Sequence, residues 1–402
     1  VFILGARERL FLVLGLLLEI KMNSRERVRL TLDHQEPDHV PFDLGGTGLS
    51  LIHVTAYQKL REYLSLPVRE TEISSLVGQL AVVEEDVAKR LETDVVLVAP
   101  QPQSDFEIVF RDEGAYEAYT DEWGISWRKP KKGGFYYDMY IHPLANAESL
   151  EDFKAFKFPD PVDSQQFQHL RRDAEAAVEQ NKAVALAGPC AGILEMVAWT
   201  RGFEQFYVDM ALDHETVAYM LDRLVEHKCA FWERALSGIG GLVDVVVEAD
   251  DLGGQNNLLF SPDTYRQLIK PRHKRLFNFI KGQAPVKVFF HSCGAIRPLI
   301  GDLIDAGIDI LNPIQISSPG MDPKELKGEF GRDLVFWGGG VDTQVVLGTG
   351  SPEEVKADVR RNIEALAPGG GFVFAAVHDV QANVPPENIM AMWEAWKTYG
   401  VY

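Results

Sequence analysis

Apolar residues along this chain cluster in short runs that stop abruptly at glycine, proline or polar residues. Eight such runs stand out: "VPFDLGG" (Val40 to Gly46), "DVVLVAP" (Asp94 to Pro100), "AVALAGP" (Ala183 to Pro189), "VDVVVEADD" (Val243 to Asp251), "VKVFFHSCG" (Val286 to Gly294), "IDILNPIQ" (Ile308 to Gln315), "LVFWGGG" (Leu334 to Gly340) and "FVFAAVHD" (Phe372 to Asp379). Unbroken Val, Ile, Leu and Phe is the pattern of strands covered on both faces. Most gaps between them carry a helical period. "SPDTYRQLIKPRHKRLFNFIKG" has Ser261 as a cap and Gly282 as a stop, and "SPEEVKADVRRNIEALAPGG" has Ser351, then Pro352 in the first turn. Strand alternating with helix predicts an α/β fold, and eight strands predict a (β/α)8 TIM barrel. An open doubly wound sheet is the rival, but no G-x-G-x-x-G or G-x-x-x-x-G-K turn supports it. Phe106 to Leu144 breaks the rhythm by alternating aromatic and polar residues around "EG" and "KKGG" turns. It reads as an antiparallel hairpin region inserted after the second strand.

The chain has 402 residues with 46% hydrophobic content, enough for a large core. No repeat or linker divides it, so residues 22–402 read as one domain. Val1 to Lys21 contains "LFLVLGLLLEI", which is too short to span a bilayer and has no small-residue cleavage site. Met22 follows, with Asn23 or Ser24 as a helix cap. Residues 1–21 are therefore expected to be an N-terminal extension outside the fold. The formal charge of −19 argues against nucleic acid or an anionic membrane surface as the main partner, though not against a small anionic substrate in a locally positive pocket. Cys190, Cys229 and Cys293 are too few and too scattered for a disulfide framework, so the expected setting is cytoplasmic.

A barrel of this kind carries its chemistry at the C-terminal ends of the strands. Those ends here hold Asp43, Cys190, Glu248 with Asp250 and Asp251, His291 with Cys293, Asn312 with Gln315, Asp342, and His378 with Asp379 and Gln381. His291 and Cys293 are two apart, so on an extended segment their side chains point the same way. A thiolate and an imidazole that converge suit zinc. The rest of the ligand set must come from other strand ends, with His378, Asp379 and Glu248 as candidates. A plain buried cysteine beside a histidine, or a Cys–His nucleophile pair, are the other readings of the same residues. "EADDLGGQNN" puts three carboxylates within four residues, which cannot all sit ionised in a dry pocket. Asp250 or Asp251 is expected to orient substrate or shuttle a proton, and Asp379 to assist. Asp43, Gln255, Asn312, Gln315 and Gln381 are candidate substrate-binding groups.

"SRERVRLTLDHQEPDHVPFDLGG", "HSCG", "FWGGGVDTQVVLGTGSPEEV" and the closing "PPENIMAMWEAW" together resemble the uroporphyrinogen decarboxylase superfamily over nearly all of Met22 to Tyr402. The resemblance implies the (β/α)8 barrel and one of two activities. The decarboxylases carry an arginine-rich segment after the first strand, where this chain reads "FDLGGTGLS" without arginine. The corrinoid-linked methyltransferases carry His-x-Cys and a distant cysteine before the last helix. His291 and Cys293 match the first part, and His378 and Asp379 stand where the distant cysteine is absent. The resemblance thus implies zinc-dependent methyl transfer between a small substrate and a corrinoid. The corrinoid would come on a separate protein, since no D-x-H-x-x-G segment is present. A tetrapyrrole decarboxylase of haem synthesis is the alternative.

Overall fold

The structure is a computed structural model that describes residues 22–402; the expectation for residues 1–21 lies outside them. Seven strands form one parallel sheet: β1 (Val95–Val98), β2 (Ala183–Ala187), β3 (Val245–Ala249), β4 (Lys287–His291), β5 (Ile310–Asn312), β6 (Val335–Trp337) and β7 (Phe372–Val373). They pair in chain order, each with the next. The fold is α/β, with a curled parallel sheet of the TIM-barrel kind.

Strand pleat divides the core in two. Val95, Ala183, Ala185, Val245, Phe289, Ile310, Val335, Trp337 and Val373 form an inner cluster. Alternate residues such as Val184, Val246, Val288, Phe290, Leu311 and Phe336 belong to the outer core, against the helices. Helix α1 (Ser24–Leu32) starts at a capping box between Asn23 and Glu26, and its Val28 and Leu32 join the inner cluster.

The strand expected at Val40–Gly46 is absent apart from an isolated bridge between Phe42 and Phe374, and the one expected within Phe372–Asp379 is only Phe372–Val373; the first has a reason visible in its backbone. Pro41 has no N–H to give a ladder, and the Phe42 N–H is taken by the Asp94 side chain at 2.8 Å. The segment still joins both edge strands. The Asp94 N–H donates to Phe42 O at 2.8 Å, Asp43 N–H donates to Phe374 O at 2.8 Å, and Phe374 N–H donates to Pro41 O at 2.8 Å. Phe42 points outward and stacks on Trp396 of the last helix (Pro386–Tyr399), ring centroids 4.7 Å apart. Between Val98 and Ala183 the chain also forms a four-stranded antiparallel sheet, Arg111–Glu113, Tyr116–Thr120, Ser126–Pro130 and Asp138–Ile141. Among the described residues no helix is long and apolar enough to cross a membrane.

Asp94 is thus the hinge pin of this seam, buried and holding both Phe42 N and the Arg27 guanidinium, the latter at 2.7 Å. Asp94→Ala leaves a buried N–H unpaired and weakens a buried ion pair. It should lower the unfolding free energy by roughly 3 kcal/mol in urea titrations. A loss under about 1 kcal/mol would show that the seam does not depend on it.

Candidate metal centre

His291 is the last residue of β4 and shares the parity of Phe289, so its ring continues the inner face beyond the packed core. In the parallel ladder it pairs with Asn312 of β5. That register brings His291 Nδ1 to 2.6 Å from Asn312 Oδ1. The amide is oriented from behind, because Asn312 Nδ2 donates to Trp337 O at 2.8 Å. Asn312 Oδ1 therefore accepts, His291 Nδ1 carries the hydrogen, and Nε2 is left with a free lone pair. Nε2 lies 3.4 Å from Cys293 Sγ. His378 follows β7, three strands along the sheet, and its ring centroid lies 5.5 Å from that of His291. One ligand atom each from His291, Cys293 and His378 fall within 4.8 Å of one another. A soft sulfur and two imidazoles at that spacing fit zinc, and the Asn312 contact is the outer partner a ligating histidine needs.

Carboxylates surround the cluster. Asp251 Oδ1 accepts from the Cys293 N–H at 2.7 Å and lies 3.8 Å from His291 Nε2. Asp379 is buried, accepts from Leu51 N–H at 2.8 Å, and has Oδ2 3.4 Å from His378 Nδ1. Burial pushes its carboxyl up to about 6 in spite of the neighbouring His378 and the Leu51 amide. The same burial lowers His291 and raises the Cys293 thiol, the latter helped by Asp251, Glu195 and Asp379.

Three expected site residues are placed elsewhere. Glu248 has the opposite parity in β3 and points out to helix α2 (His214–Leu236). There it accepts from Lys228 Nζ at 2.7 Å and Trp232 Nε1 at 2.6 Å, so it is no metal ligand. Asp250 is fully buried, accepting from the Leu194 and Glu195 amides and facing His273 Nε2 at 2.8 Å. It anchors the start of a helix (Ile193–Arg201) and has no face left for substrate. Asp43 spends both oxygens on Gly46 N–H, Thr47 Oγ1 and Trp337 Nε1, which makes it the clamp of its own turn. Asn312 likewise serves His291 rather than a substrate.

The remaining glutamines frame the mouth. Gln315 Oε1 accepts from Gly294 N–H at 2.6 Å, and its Nε2 donates to Gln255 at 2.9 Å. This holds the turn after Cys293, where Gly294 has φ +92 and a side chain would strike Gly253 and Gly254. Gln381 donates to Asp379 O at 2.9 Å and accepts from the Tyr136 hydroxyl. Sequence reasoning missed Glu195. Burial, then Asp251 and Asp250, push its carboxyl up to about 8. Its position three residues after Gly192, whose N–H it accepts, reads in sequence as a helix cap.

The family model for uroporphyrinogen decarboxylase (URO-D) matches residues 140–399, well over half of the chain. This chain belongs to the URO-D family. Among solved structures, a methyltransferase from Methanosarcina mazei matches this URO-D chain over 94% of its length and 99% of the other's, with 17% identity and a TM-score of 0.64. That supports the fold. An endo-1,4-beta-xylanase from Penicillium canescens (12% identity, TM-score 0.35, 62% of this chain and 82% of that one) is too distant to carry an argument. No curated protein matches the sequence.

Placing Glu248 outside the centre has a measurable consequence. Glu248→Gln leaves the Lys228 ammonium buried without its counter-ion, at a cost of roughly 3–5 kcal/mol in urea unfolding. Zinc affinity of the refolded variant stays at the wild-type value. Loss of zinc with unchanged stability would return Glu248 to the ligand set.

Proposed function

We propose that this URO-D family chain is a zinc-dependent methyltransferase that moves a methyl group between a small substrate and a corrinoid carried by a separate protein. The observation that carries the reading is the convergence of His291, Cys293 and His378 within 4.8 Å. The Methanosarcina mazei methyltransferase of similar fold is in keeping with it. Zinc held there lowers the pKa of a substrate heteroatom, which is what a methyl acceptor or leaving group needs.

The chain's own groups do the rest. Asn312 keeps the hydrogen of His291 on Nδ1, so that Nε2 is available to a metal. His378 Nδ1 accepts from the Asp379 N–H at 2.8 Å, which leaves Nε2 as the nitrogen that bears the hydrogen, and Asp379 Oδ2 lies 3.4 Å from the same Nδ1. Asp251, with a side chain 40% exposed, stands beside Cys293 at the open side and is placed to take or return the substrate's proton. Gln255, Gln315 and Gln381 hold the turns around the opening. Two imidazoles and one thiolate leave the zinc site a formal charge of +1, where a second thiolate would bring it to zero. That favours oxygen substrates, such as an alcohol or methyl ether, over thiols.

Protein prepared without chelator should contain about one zinc per chain, the occupancy of a single centre of this kind. Cys293→Ser and His378→Ala should each lose the metal while keeping the wild-type unfolding midpoint. Asp379→Ala should retain zinc and slow methyl transfer from methylcobalamin by roughly 10–100-fold. Zinc-free wild-type protein, or zinc retained in both ligand variants, would overturn the proposal.

A further inference from the structure

A second cavity, of about 740 Å³, lies where the antiparallel sheet meets the barrel. Pro100 and Pro189 bring to it the chain just beyond the ends of β1 and β2. Trp123, in the turn between the second and third strands of the antiparallel sheet, lines it together with His227 of α2 and Gln166. Its lining includes none of His291, Cys293 and His378, and among the described residues no lysine or arginine. The volume is that of a pocket for a small organic ligand.

Three buried side chains of this lining keep unused hydrogen-bonding groups. Trp123, His227 and Gln166 are only 5%, 7% and 6% exposed. Trp123 accounts for its backbone N–H with Asp121, but its indole Nε1 has no partner among the described residues. The His227 ring meets the rings of Trp123 and Phe158, at 5.1 and 5.9 Å between centroids, and neither of its nitrogens has a hydrogen-bond partner among the described residues. Gln166 Nε2 donates to Asp160 O at 2.9 Å, while its Oε1 accepts from no described residue. The fully enclosed side-chain atoms without a partner are Thr31 Oγ1, His34 Nδ1, Thr71 Oγ1 and Ser318 Oγ. The free groups of Trp123, His227 and Gln166 are not among them, so they reach open space, and the cavity is the space all three residues line. Burial, then the fields of Lys228 and Arg223, push the His227 imidazole down to about 3. It therefore stays neutral and offers one N–H and one lone pair. The buried wall thus holds donors and acceptors together without a charge.

We propose that this cavity is a second binding site, for an uncharged planar ligand with an amide edge, such as an aromatic carboxamide or lactam. The ligand carbonyl accepts from the N–H of Trp123 or His227, and its N–H donates to the bare His227 nitrogen or to Gln166 Oε1. Such an edge satisfies groups that would lose their hydrogen bonds once water is expelled. The aromatic body packs on the Trp123 ring and the prolines. A carboxylate would pass the exposed Glu122 at the cavity's edge and find no cation inside. An amidinium would set its N–H groups against those of Trp123 and His227. The site goes beyond methyl transfer and does not depend on a metal.

Benzamide, benzamidine and benzoate share a shape and differ in charge. Their affinities for the full chain are measured by ligand-observed NMR titration, with the protein zinc-loaded and metal-free. Benzamide should bind tightest, about tenfold or more above benzoate. Its affinity should be the same in both metal states. Trp123→Phe and His227→Phe each keep an aromatic ring and remove the nitrogens. Each should weaken benzamide by about three- to tenfold at the wild-type unfolding midpoint. The order of the three ligands in wild-type protein needs no variant, so the test survives a variant that fails to fold. No binding of benzamide, a preference for benzoate or benzamidine, an affinity that follows the metal, or full affinity in both folded variants overturns the proposal.

Discussion

Everything at the barrel mouth follows from strand parity and the parallel register between neighbours. In β4, Phe289 and His291 face inward while Val288 and Phe290 face the helices. The ladder then sets His291 opposite Asn312 on one side and Ala249 on the other. A small residue on one flank and an amide on the other leave the imidazole room to stand and one partner to bind. A slip of one residue would turn His291 outward and bring Phe290 into its place. A one-residue slip of β3 would likewise put Glu248 inside and strip Lys228 of its counter-ion.

The two buried charge systems near the mouth divide their work by this parity. Glu248, Lys228 and Trp232 lie on the outer side and tie a strand to its helix. Asp251, Asp379 and the three ligand-type residues lie on the inner side, where Asp251 keeps an unpaired oxygen. The outer carboxylate has a protein cation. Among the described residues Asp251 forms an ion pair with no lysine or arginine. The seam at Asp94 ties Arg27 and Phe42 to the start of β1.

Much of this was legible in sequence, and the exceptions have physical causes. Polar residues ending apolar runs pointed to the mouth, and the two-residue spacing of His291 and Cys293 pointed to one shared direction. His378 stood out because a histidine ends the last run. Glu248 was misplaced because a strand apolar on both faces hides its parity: "VVVEA" shows no alternation to count from. Asp250 and Asp43 were misplaced because a carboxylate that clamps a turn or starts a helix reads like one awaiting substrate. Asn312 shows the converse, an amide whose role appears only when the register puts it beside His291. Glu195 was hidden by a sufficient local explanation, the cap it makes with Gly192. The short edge strands were overread since apolar content does not reveal that Pro41 lacks a hydrogen to donate.

The central claim is that one sulfur and two imidazoles converge to hold a metal. Zinc K-edge X-ray absorption of the zinc-loaded full chain tests it most directly. The account predicts one sulfur at about 2.3 Å and nitrogen scatterers at about 2.0–2.1 Å with the multiple-scattering signature of two imidazoles. A shell of oxygens alone, two sulfurs, or a single imidazole would contradict it.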